Sequence, residues 1–393
     1  MQHRRHLSAG EVLFRAGDPG EVAYLVESGV VEIYLERAGG TQAIARLGSN
    51  ELFGEMALAG DHTRTASARA LDDAELLVIT HEALAAQLAR ASPVLRHLLR
   101  VTMARSRDSL RLAGRGGAEP QAPPAFVDPE HDGELAAQQL RAERELSQAL
   151  QAGEFELHYQ PIVALDNGRV AGFEALIRWR DPRRGLLLPA AFIDVAEASP
   201  LIIDIGHWII DTATAALARM DAATGAVQPF CSINLSPRQF DEPQPLLAHI
   251  REALARHALA PQRLCLEITE SAAFDNPLAA RPLLEQCRTL GCKVLIDDFG
   301  TGYGTLSYLH RLPIDAIKLD RSFIREIAGN AGATAIIRAM TQLATDLGLY
   351  TVAEGIESAE QAARCAQLGV RYGQGFLYSK GVPLDAALAM LRA

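Results

Sequence analysis

The chain has 393 residues, which is more than a single domain usually holds, so its length predicts two domains. An apolar fraction of 49% and a charged fraction of 22% are typical of a soluble globular protein. The sequence has no run of about 18 apolar residues and no apolar signal-peptide core at its start, so we expect a cytoplasmic protein without a membrane partner. The five cysteines are widely spaced and form no CxxC pair, which favours reduced core thiols.

Charge is distributed unevenly along the chain. Residues 1–115 hold 14 Arg and 14 Asp or Glu, so the remainder holds the whole net charge of −10. An acidic domain without a basic stripe is a poor candidate for duplex DNA, and we expect no DNA partner. Clustered metal ligands are one explanation of the acidity, and surface carboxylates are the other.

The first part of the chain has a residue pattern typical of a small β domain. Short β-rich runs are separated by turns such as Gly17-Asp18-Pro19-Gly20, which favours an antiparallel barrel or jelly roll. The predicted strands are Val22 to Val26, Val30 to Leu35, Gln42 to Leu47, Thr65 to Arg69 and Glu75 to Ile79.

A compositional break separates this part from the rest. Residues 113–133 contain four prolines and four glycines, which cannot hold a helix or a central strand, so they predict a linker. Amphipathic patterns predict helices on either side, at 92–112 and 135–151. We therefore expect a sensor-like domain at 1–112, a linker at 113–133 and a second domain at 134–393.

In the second domain, strand-like and helix-like segments alternate. About 250 residues with eight such units predict a (β/α)8 barrel of the TIM type. The eight predicted strands are Phe155 to Tyr159, Gly172 to Ile177, Phe230 to Leu235, Leu264 to Ile268, Val294 to Asp298, Ala316 to Leu319, Thr351 to Glu354 and Gly375 to Tyr378.

Polar side chains accumulate where these predicted strands end, and such ends meet on one face of a barrel. Buried carboxylates need counter-charge, and a cluster of them with one nearby Lys calls for divalent cations, Mg²⁺ or Mn²⁺ rather than zinc. The adjacent pair Asp297-Asp298 could let one carboxylate bridge two ions, the arrangement that cleaves phosphodiesters. The remaining candidates are Glu174, Asn234, Glu267, Glu270, Lys318, Asp320 and Glu354.

Seven ordered motifs then resemble one family over residues 135–393. Glu174-Ala175-Leu176, with Tyr-Gln-Pro-Ile upstream, is similar to the signature of the EAL-domain cyclic di-GMP phosphodiesterases. The resemblance continues through Ser-Ile-Asn-Leu-Ser, Leu-Glu-Ile-Thr-Glu, Ile-Asp-Asp-Phe-Gly-Thr-Gly-Tyr, Ile-Lys-Leu-Asp, Val-Ala-Glu-Gly-Ile-Glu and Gly-Gln-Gly-Phe. It implies metal-dependent hydrolysis of cyclic di-GMP to linear pGpG by a homodimer.

The resemblance also implies a role for each matching residue. Asp297 would bind both metal ions, and the other ligands would complete the coordination of each ion. Lys318 would contact the attacking water and Gln374 would help to hold it. Glu270 would anchor the loop from Asp298 to Tyr308, and Asp320 would support Lys318 beside the substrate. The implied ligands of the first metal are Glu174, Asn234, Glu267 and Asp297, those of the second are Asp297, Asp298 and Glu354, and the implied substrate contacts are Gln160, Arg178, Asp298 and Asp320.

Two positions depart from the family pattern. Gly304 replaces a commoner Ser in the loop, which could loosen it and lower the activity, and Gly381 replaces a commoner Pro. The alternative function is a receptor of this fold that binds cyclic di-GMP without cleaving it. Loss of the ligand set or of the loop motif would mark such a receptor, and neither is lost.

A second resemblance lies in the N-terminal part. Leu-Phe-Gly-Glu-Met-Ala-Leu followed by Arg-Thr-Ala is similar to the phosphate-binding cassette of cyclic-nucleotide-binding domains. A helix starting at Gly54 would offer amides to a cyclic phosphate, Arg64 would add a charge-assisted bond, and Glu55 would accept from the ribose. The implied pocket, for cAMP or cGMP, is Gly54, Glu55, Met56, Ala57, Arg64 and Thr65. The alternative is a dimerisation module that binds no nucleotide.

Overall fold

The computed structural model describes residues 3–37, 40–55, 63–80, 94–95, 97–98, 101–102, 129–225, 228–241, 243–274, 277–300 and 309–392. The chain divides into two compact units, residues 1–142 and 143–393. The predicted linker lies outside the described residues as far as residue 128, and so does most of the predicted helix at 92–112. The proposed domain boundaries therefore stay a prediction.

The first unit contains a β-sandwich, as the β-rich runs predicted. Its described strands form two antiparallel four-stranded sheets, in the orders β1-β8-β3-β6 and β2-β7-β4-β5. Leu7, Tyr24, Val26, Phe53 and Leu76 belong to the core of the sandwich. The strands are β1 (His3–Leu7), β2 (Val12–Phe14), β3 (Val22–Ser28), β4 (Val31–Arg37), β5 (Gly40–Leu47), β6 (Leu52–Phe53), β7 (Ser67–Ala70) and β8 (Ala74–Thr80).

The sequence pattern missed β1, β2 and β6. Strand β1 pairs with β8 along its whole length, yet four of its five residues are His or Arg, and Leu7 is its only apolar residue. Strands β2 and β6 have only three and two residues, which are too few to show the alternation of apolar and polar residues that indicates a strand. Pairing with longer neighbours, and not their own pattern, makes these segments strands.

The second unit is built around a closed eight-stranded barrel, which confirms the predicted fold. The pairing order is β10-β12-β13-β14-β15-β16-β17-β9, and β9 closes the barrel onto β10. The hairpin strand β11 extends β10 outside this ring. The strands are β9 (Phe155–Ala164), β10 (Val170–Asp181), β11 (Gly185–Leu187), β12 (Phe230–Asn234), β13 (Leu264–Thr269), β14 (Lys293–Phe299), β15 (Ala316–Leu319), β16 (Tyr350–Ala353) and β17 (Tyr372–Gln374).

The first barrel strand differs from a regular TIM barrel. Strand β9 runs antiparallel to both of its neighbours, β10 and β17, while the other ring strands are parallel. Only five residues separate β9 from β10, which is enough for a hairpin but too few for the helical crossover that parallel strands need.

Helices surround the barrel strands. The helix that leads into the barrel begins at Pro129, earlier than the predicted residue 135, because proline is tolerated in the first turn of a helix. The helices are α1 (Pro129–Ala152), α2 (Ile193–Glu197), α3 (Leu201–Thr224), α4 (Pro243–Arg256), α5 (Glu270–Phe274), α6 (Pro277–Leu290), α7 (Arg321–Glu326), α8 (Ala331–Asp346), α9 (Ala359–Gln367) and α10 (Leu384–Met390).

Helix α3 is long and apolar enough to pass a test for a membrane span, with a mean hydropathy of 1.4 over its most apolar 18 residues. Half of that window is buried inside the protein, and the helix packs against β12, β9 and α4. These contacts are those of a core helix in a barrel. The five cysteines are all buried free thiols, as predicted.

The last barrel strand lies earlier than predicted. The sequence predicts it at Gly375 to Tyr378, but β17 ends at Gln374. Gly375 has a φ of +157°, and a Cβ there would overlap the backbone of Ile356. The chain leaves the sheet at this glycine because no other residue fits so close an approach.

We therefore expect Gly375→Ala to lower the midpoint of thermal unfolding of the barrel by about 5–10 °C. Gly329→Ala is the control, because a Cβ at Gly329 meets no atom within 4 Å. Scanning calorimetry of both variants gives the comparison. Equal midpoints for Gly375→Ala and the unaltered chain would contradict the packing argument.

Candidate active site

A fully buried lysine lies at the carboxyl-terminal end of the barrel. Lys318, on β15, has no exposed side-chain surface, and its Nζ is within ion-pair distance of four carboxylates. The nearest oxygens are 2.7 Å away for Glu354, 2.8 Å for Glu267, 3.0 Å for Asp297 and 3.4 Å for Glu174. The structure thus brings together five of the predicted site residues.

The barrel topology explains this convergence. Glu267, Asp297 and Lys318 lie on the adjacent parallel strands β13, β14 and β15, and Glu354 directly follows β16. Carboxyl ends of neighbouring parallel strands meet at one rim. Glu174 reaches the same place from within β10, which continues to Asp181, so it does not end its strand as the pattern predicted.

The cluster is strongly negative. Four carboxylates around one ammonium leave a surplus of three negative charges (four minus one) when all are ionised. Burial would lower the pKa of Lys318, but the carboxylates raise it well above its usual value, so the ammonium stays charged. Burial raises the pKa of Glu267 well above its ordinary value and that of Glu354 to about 8. Burial also opposes ionisation of Glu174, yet Lys318 and two side-chain amides lower its pKa overall.

The carboxylates fit divalent cations. Glu174, Glu267 and Asp297 offer oxygens within 4.8 Å of one another, and Asp297, Asp298 and Glu354 form a second such group. Oε1 of Glu267 is buried and has no hydrogen-bond partner among the described residues, so a lone pair of this carboxylate is available to a cation. Oxygen donors of this kind suit Mg²⁺ or Mn²⁺.

An irregular backbone places the adjacent acids together. In a regular strand, Asp297 and Asp298 would point to opposite faces. Asp298 instead has a left-handed φ of +54°, and the pairing of β14 with β15 is interrupted between Ile296 and Phe299. Both carboxylates therefore reach the same end of the barrel, at a backbone cost of about 1–3 kcal/mol.

Glu270 bonds to the segment after β14. It is buried at the start of α5, and its Oε2 accepts a hydrogen bond of 2.7 Å from the backbone N–H of Gly300, two residues after Asp298. This contact ties Glu270 to the start of the loop, and its anchoring role stays a prediction. Loop residues 301–308, which include Gly304, lie outside the described residues.

Two side-chain amides orient the carboxylate of Glu174, and the amide of Gln160 accepts a bond from one of them. Nε2 of Gln374 donates to Glu174 Oε2 at 2.6 Å and to Gln160 Oε1 at 3.0 Å, and Nδ2 of Asn234 donates to Glu174 Oε1 at 3.1 Å. Oε1 of Gln374 is buried without a partner among the described residues. Gln160 lies directly opposite Glu174 in the pairing of β9 with β10.

Two further predicted substrate contacts are hydrogen-bonded to the backbone. Arg178 follows Glu174 by four residues on β10, is 9% exposed, and donates from Nη1 to the carbonyl of Ile177 at 2.8 Å. Asp320 caps α7, where its Oδ1 accepts from the backbone N–H of Ser322 at 2.9 Å. Its contact with substrate stays a prediction.

The first unit contains a cavity of about 170 Å³ that brings together four of the predicted pocket residues. They are Gly54, Glu55, Arg64 and Thr65. Met56 and Ala57 lie outside the described residues.

A hydrogen bond and a cation–π contact hold Arg64 in this cavity. Its Nη1 donates to the carbonyl of Gly54 at 3.0 Å, and its guanidinium lies over the ring of Phe14, 4.1 Å from the centroid. Nε of Arg64 is buried without a partner among the described residues. The sequence pattern did not indicate Phe14 as a pocket residue, because its strand β2 was missed; three consecutive apolar residues at 12–14 are the available signal.

Comparison with known proteins agrees with both resemblances. The EAL domain model matches residues 143–381, and the cyclic nucleotide-binding domain model matches residues 4–91. The chain belongs to the EAL domain family. Its barrel is thus the EAL domain, and the β-sandwich, apart from its first residue His3, lies within the match to the nucleotide-binding domain.

Relatives resemble either the EAL domain or the whole chain. MucR of Pseudomonas aeruginosa, a bifunctional diguanylate cyclase/cyclic di-GMP phosphodiesterase, is 41% identical over 65% of this chain and 37% of its own length. NbdA of the same organism, a cyclic di-GMP phosphodiesterase, is 42% identical over 66% and 33%. The chain thus spans about a third of these curated relatives. The EAL enzyme Bd1971 in its cAMP-bound form is 36% identical, with a TM-score of 0.77 over 99% of this chain and 100% of its own.

The raised pKa of Glu354 predicts a pH-dependent affinity for metal. At pH 7 a carboxyl with a pKa of about 8 is largely protonated, so a cation must displace its proton. We expect the apparent affinity for Mn²⁺ to rise as the pH rises from 6.5 to 8.5 and to fall on acidification. Calorimetry in two buffers of different ionisation enthalpy measures the protons released. Glu354→Gln should reduce that release without abolishing it, because burial also raises the pKa of the ligand Glu267. A constant affinity without proton release would contradict this assignment.

Proposed function

We propose that this protein hydrolyses cyclic di-GMP to linear pGpG with two divalent cations, Mg²⁺ or Mn²⁺. The observation that carries the proposal is that two clusters of carboxylate side chains have Asp297 in common. Asp297 lies beside the buried ammonium of Lys318. Such sharing suits two cations about 3.5–4 Å apart, a spacing used for phosphodiester cleavage. The relatives named as cyclic di-GMP phosphodiesterases support the choice of substrate.

Each residue of the site has its own part in this reaction. Glu174, Asn234, Glu267 and Asp297 would hold one cation, and Asp297, Asp298 and Glu354 the other. When bound, the cations supply an activated water and neutralise charge on the phosphate. Lys318 keeps its proton among the carboxylates and stabilises negative charge that develops nearby. The amide of Gln374 orients Glu174 and leaves Oε1 free to accept from the attacking water.

Gln160 and Arg178 would bind the dinucleotide. Gln160 is tied to Gln374 at the floor of the site, and Arg178 supplies a buried positive charge for a phosphate. Glu270 would act through the backbone of Gly300 and not on substrate. Asp320, as the cap of α7, fixes the chain that follows Lys318 and would border the substrate.

The alternative is a receptor that binds cyclic di-GMP without cleaving it. Such a receptor does not need the surplus of buried negative charge, which is costly without cations. Retention of every candidate ligand therefore favours hydrolysis. Chromatographic detection of pGpG from the full chain with Mg²⁺ or Mn²⁺ separates the two functions.

We further propose that cAMP or cGMP binds in the first unit and regulates hydrolysis in a cytoplasmic homodimer. The cavity around Arg64 supports this, because a buried guanidinium whose Nε has no partner among the described residues suits a cyclic phosphate. Bd1971, similar over the whole chain, has cAMP-bound and cGMP-bound structures. If no nucleotide binds, the unit would serve as a dimerisation module.

Glu174→Gln tests the metal site. The change keeps the size of the side chain but removes an anionic ligand, so turnover should fall at least about a thousandfold. Glu252→Gln, at an exposed position of α4, is the matched control and should keep full activity. Near-normal turnover by Glu174→Gln with metal bound would overturn the assignment.

Arg64→Ala tests regulation. Arg64 lies in the first unit, whereas both clusters of candidate metal ligands lie in the second. Basal hydrolysis should therefore persist in the variant, while any effect of cAMP or cGMP disappears. An effect of about 5- to 150-fold would be typical of such coupling. Initial rates with and without each nucleotide decide the matter in both proteins. Equal rates in the unaltered chain, despite measured nucleotide binding, would contradict regulation.

A further inference from the structure

The guanidinium of Arg64 lies over an aromatic ring in the cavity of the first unit. Its central carbon Cζ is 4.1 Å from the ring centroid of Phe14 and 5.6 Å from that of Tyr24. Arg64 is 5% exposed, so little water competes for the cation. Attraction between a cation and an aromatic face is stronger where water is excluded. Because a guanidinium stays protonated in proteins, this attraction does not depend on pH.

The ring of Phe14 is part of an aromatic cluster that reaches into the core of the sandwich. Phe14 stacks on Tyr24 with ring centroids 6.1 Å apart, and Tyr24 stacks on Phe53 with centroids 5.4 Å apart. Tyr24 and Phe53 are buried core residues, and Phe14 packs against that core. Because packed cores leave side chains little room to move, the ring beneath the guanidinium is fixed in place.

The backbone of Arg64 is bonded to the turn that follows Phe14. The N–H of Arg64 donates to the carbonyl of Asp18 at 2.8 Å, and the N–H of Gly17 donates to the carbonyl of Arg64 at 2.8 Å. These two bonds run in opposite directions and fix the main chain of Arg64 beside the end of β2. Residues 14–18 therefore contact both the backbone and the side chain of Arg64.

Gly54 borders the guanidinium on another side. Nη1 of Arg64 donates to the carbonyl of Gly54 at 3.0 Å. Gly54 has a left-handed φ of +77°, and a Cβ there would lie 2.7 Å from Nη1, so a larger residue would displace the guanidinium from the ring of Phe14. Nε of Arg64 is buried and has no partner among the described residues. A bound cyclic phosphate would supply the acceptor that this N–H lacks.

We propose that Phe14 is a positioning residue for nucleotide binding, whose ring face holds the guanidinium of Arg64 in the orientation that meets a cyclic phosphate. The proposal rests on the proposed binding of cAMP or cGMP in the first unit. An arginine side chain has many rotamers, so ordering it before the ligand arrives lowers the entropic cost of binding. Without the cation–π contact, Arg64 keeps its charge and its backbone bonds but loses this orientation, and the affinity for nucleotide falls.

Fluorination of the ring tests the proposal in the full chain. Monofluoro-, difluoro- and trifluorophenylalanine at position 14 weaken the negative ring face step by step and add little volume. The Kd for cAMP and for cGMP, measured by calorimetry, should rise with each step, to about 3- to 10-fold for the trifluoro ring, and Phe14→Leu should raise it at least as much. The same series at Phe53 is the matched control and should leave Kd unchanged. Phe53 lines the same cavity and stacks in the same cluster, but none of the described residues places a cation over its ring.

A purely structural role of Phe14 predicts a Kd that ignores fluorination, or one that rises only together with a lower unfolding midpoint of the nucleotide-free chain. Either result overturns the proposal, and so does an equal effect of the Phe53 series. NMR of the arginine Nε–H groups gives a readout apart from nucleotide. The ring current of Phe14 should shift the Arg64 signal upfield, as assigned by its loss in Arg64→Lys, and Phe14→Leu should remove that shift. Absence of the shift also overturns the proposal. If the unaltered chain binds neither nucleotide, the proposed nucleotide binding fails, whereas the NMR result still shows whether Phe14 orients Arg64.

Discussion

The ammonium of Lys318 lies within ion-pair distance of four carboxylates, two of them buried and two half-buried, and the barrel rim is arranged around it. Removing so many carboxylates from water is costly, and one ion pair cannot offset it. Protons or divalent cations must supply the remaining charge, which is why burial keeps the pKa of Glu354 near 8. The same imbalance that destabilises the cation-free site gives it a strong preference for divalent ions.

The departure of β9 from the parallel pattern serves this site. Because β9 is antiparallel and joined to β10 by a short connection, Gln160 lies directly opposite Glu174 in a strand pair. The amide of Gln374, on the other neighbour of β9, then bridges Gln160 and Glu174. A helical crossover would place the first strand in the opposite direction and lose this register.

The sequence alone predicts the barrel class and the members of the carboxylate cluster. Apolar runs that are followed by acidic residues indicate where polar side chains gather in such a barrel. The sequence could not place β1, β2 or β6, whose pairing depends on distant partners. It also could not reveal the left-handed turn at Asp298, since alternation alone puts adjacent acids on opposite faces. The contact of Arg64 with the ring of Phe14 lies equally beyond it, because the pattern does not indicate strand β2.

Regulation of the barrel by the first unit would require an element with two arrangements of different affinity. Helix α1 leads into the barrel, and its Glu145 bonds to Arg183, beside the strand that carries Glu174. Exposed ion pairs of this kind contribute about 0.2–1 kcal/mol, whereas allosteric coupling is usually about 1–3 kcal/mol. Leu146 and Ala149 of the same helix are buried against the barrel core, and burial of apolar side chains stabilises more than an exposed ion pair does. A shift of α1 would disturb this packing, so these buried contacts must supply most of any coupling that passes through the helix.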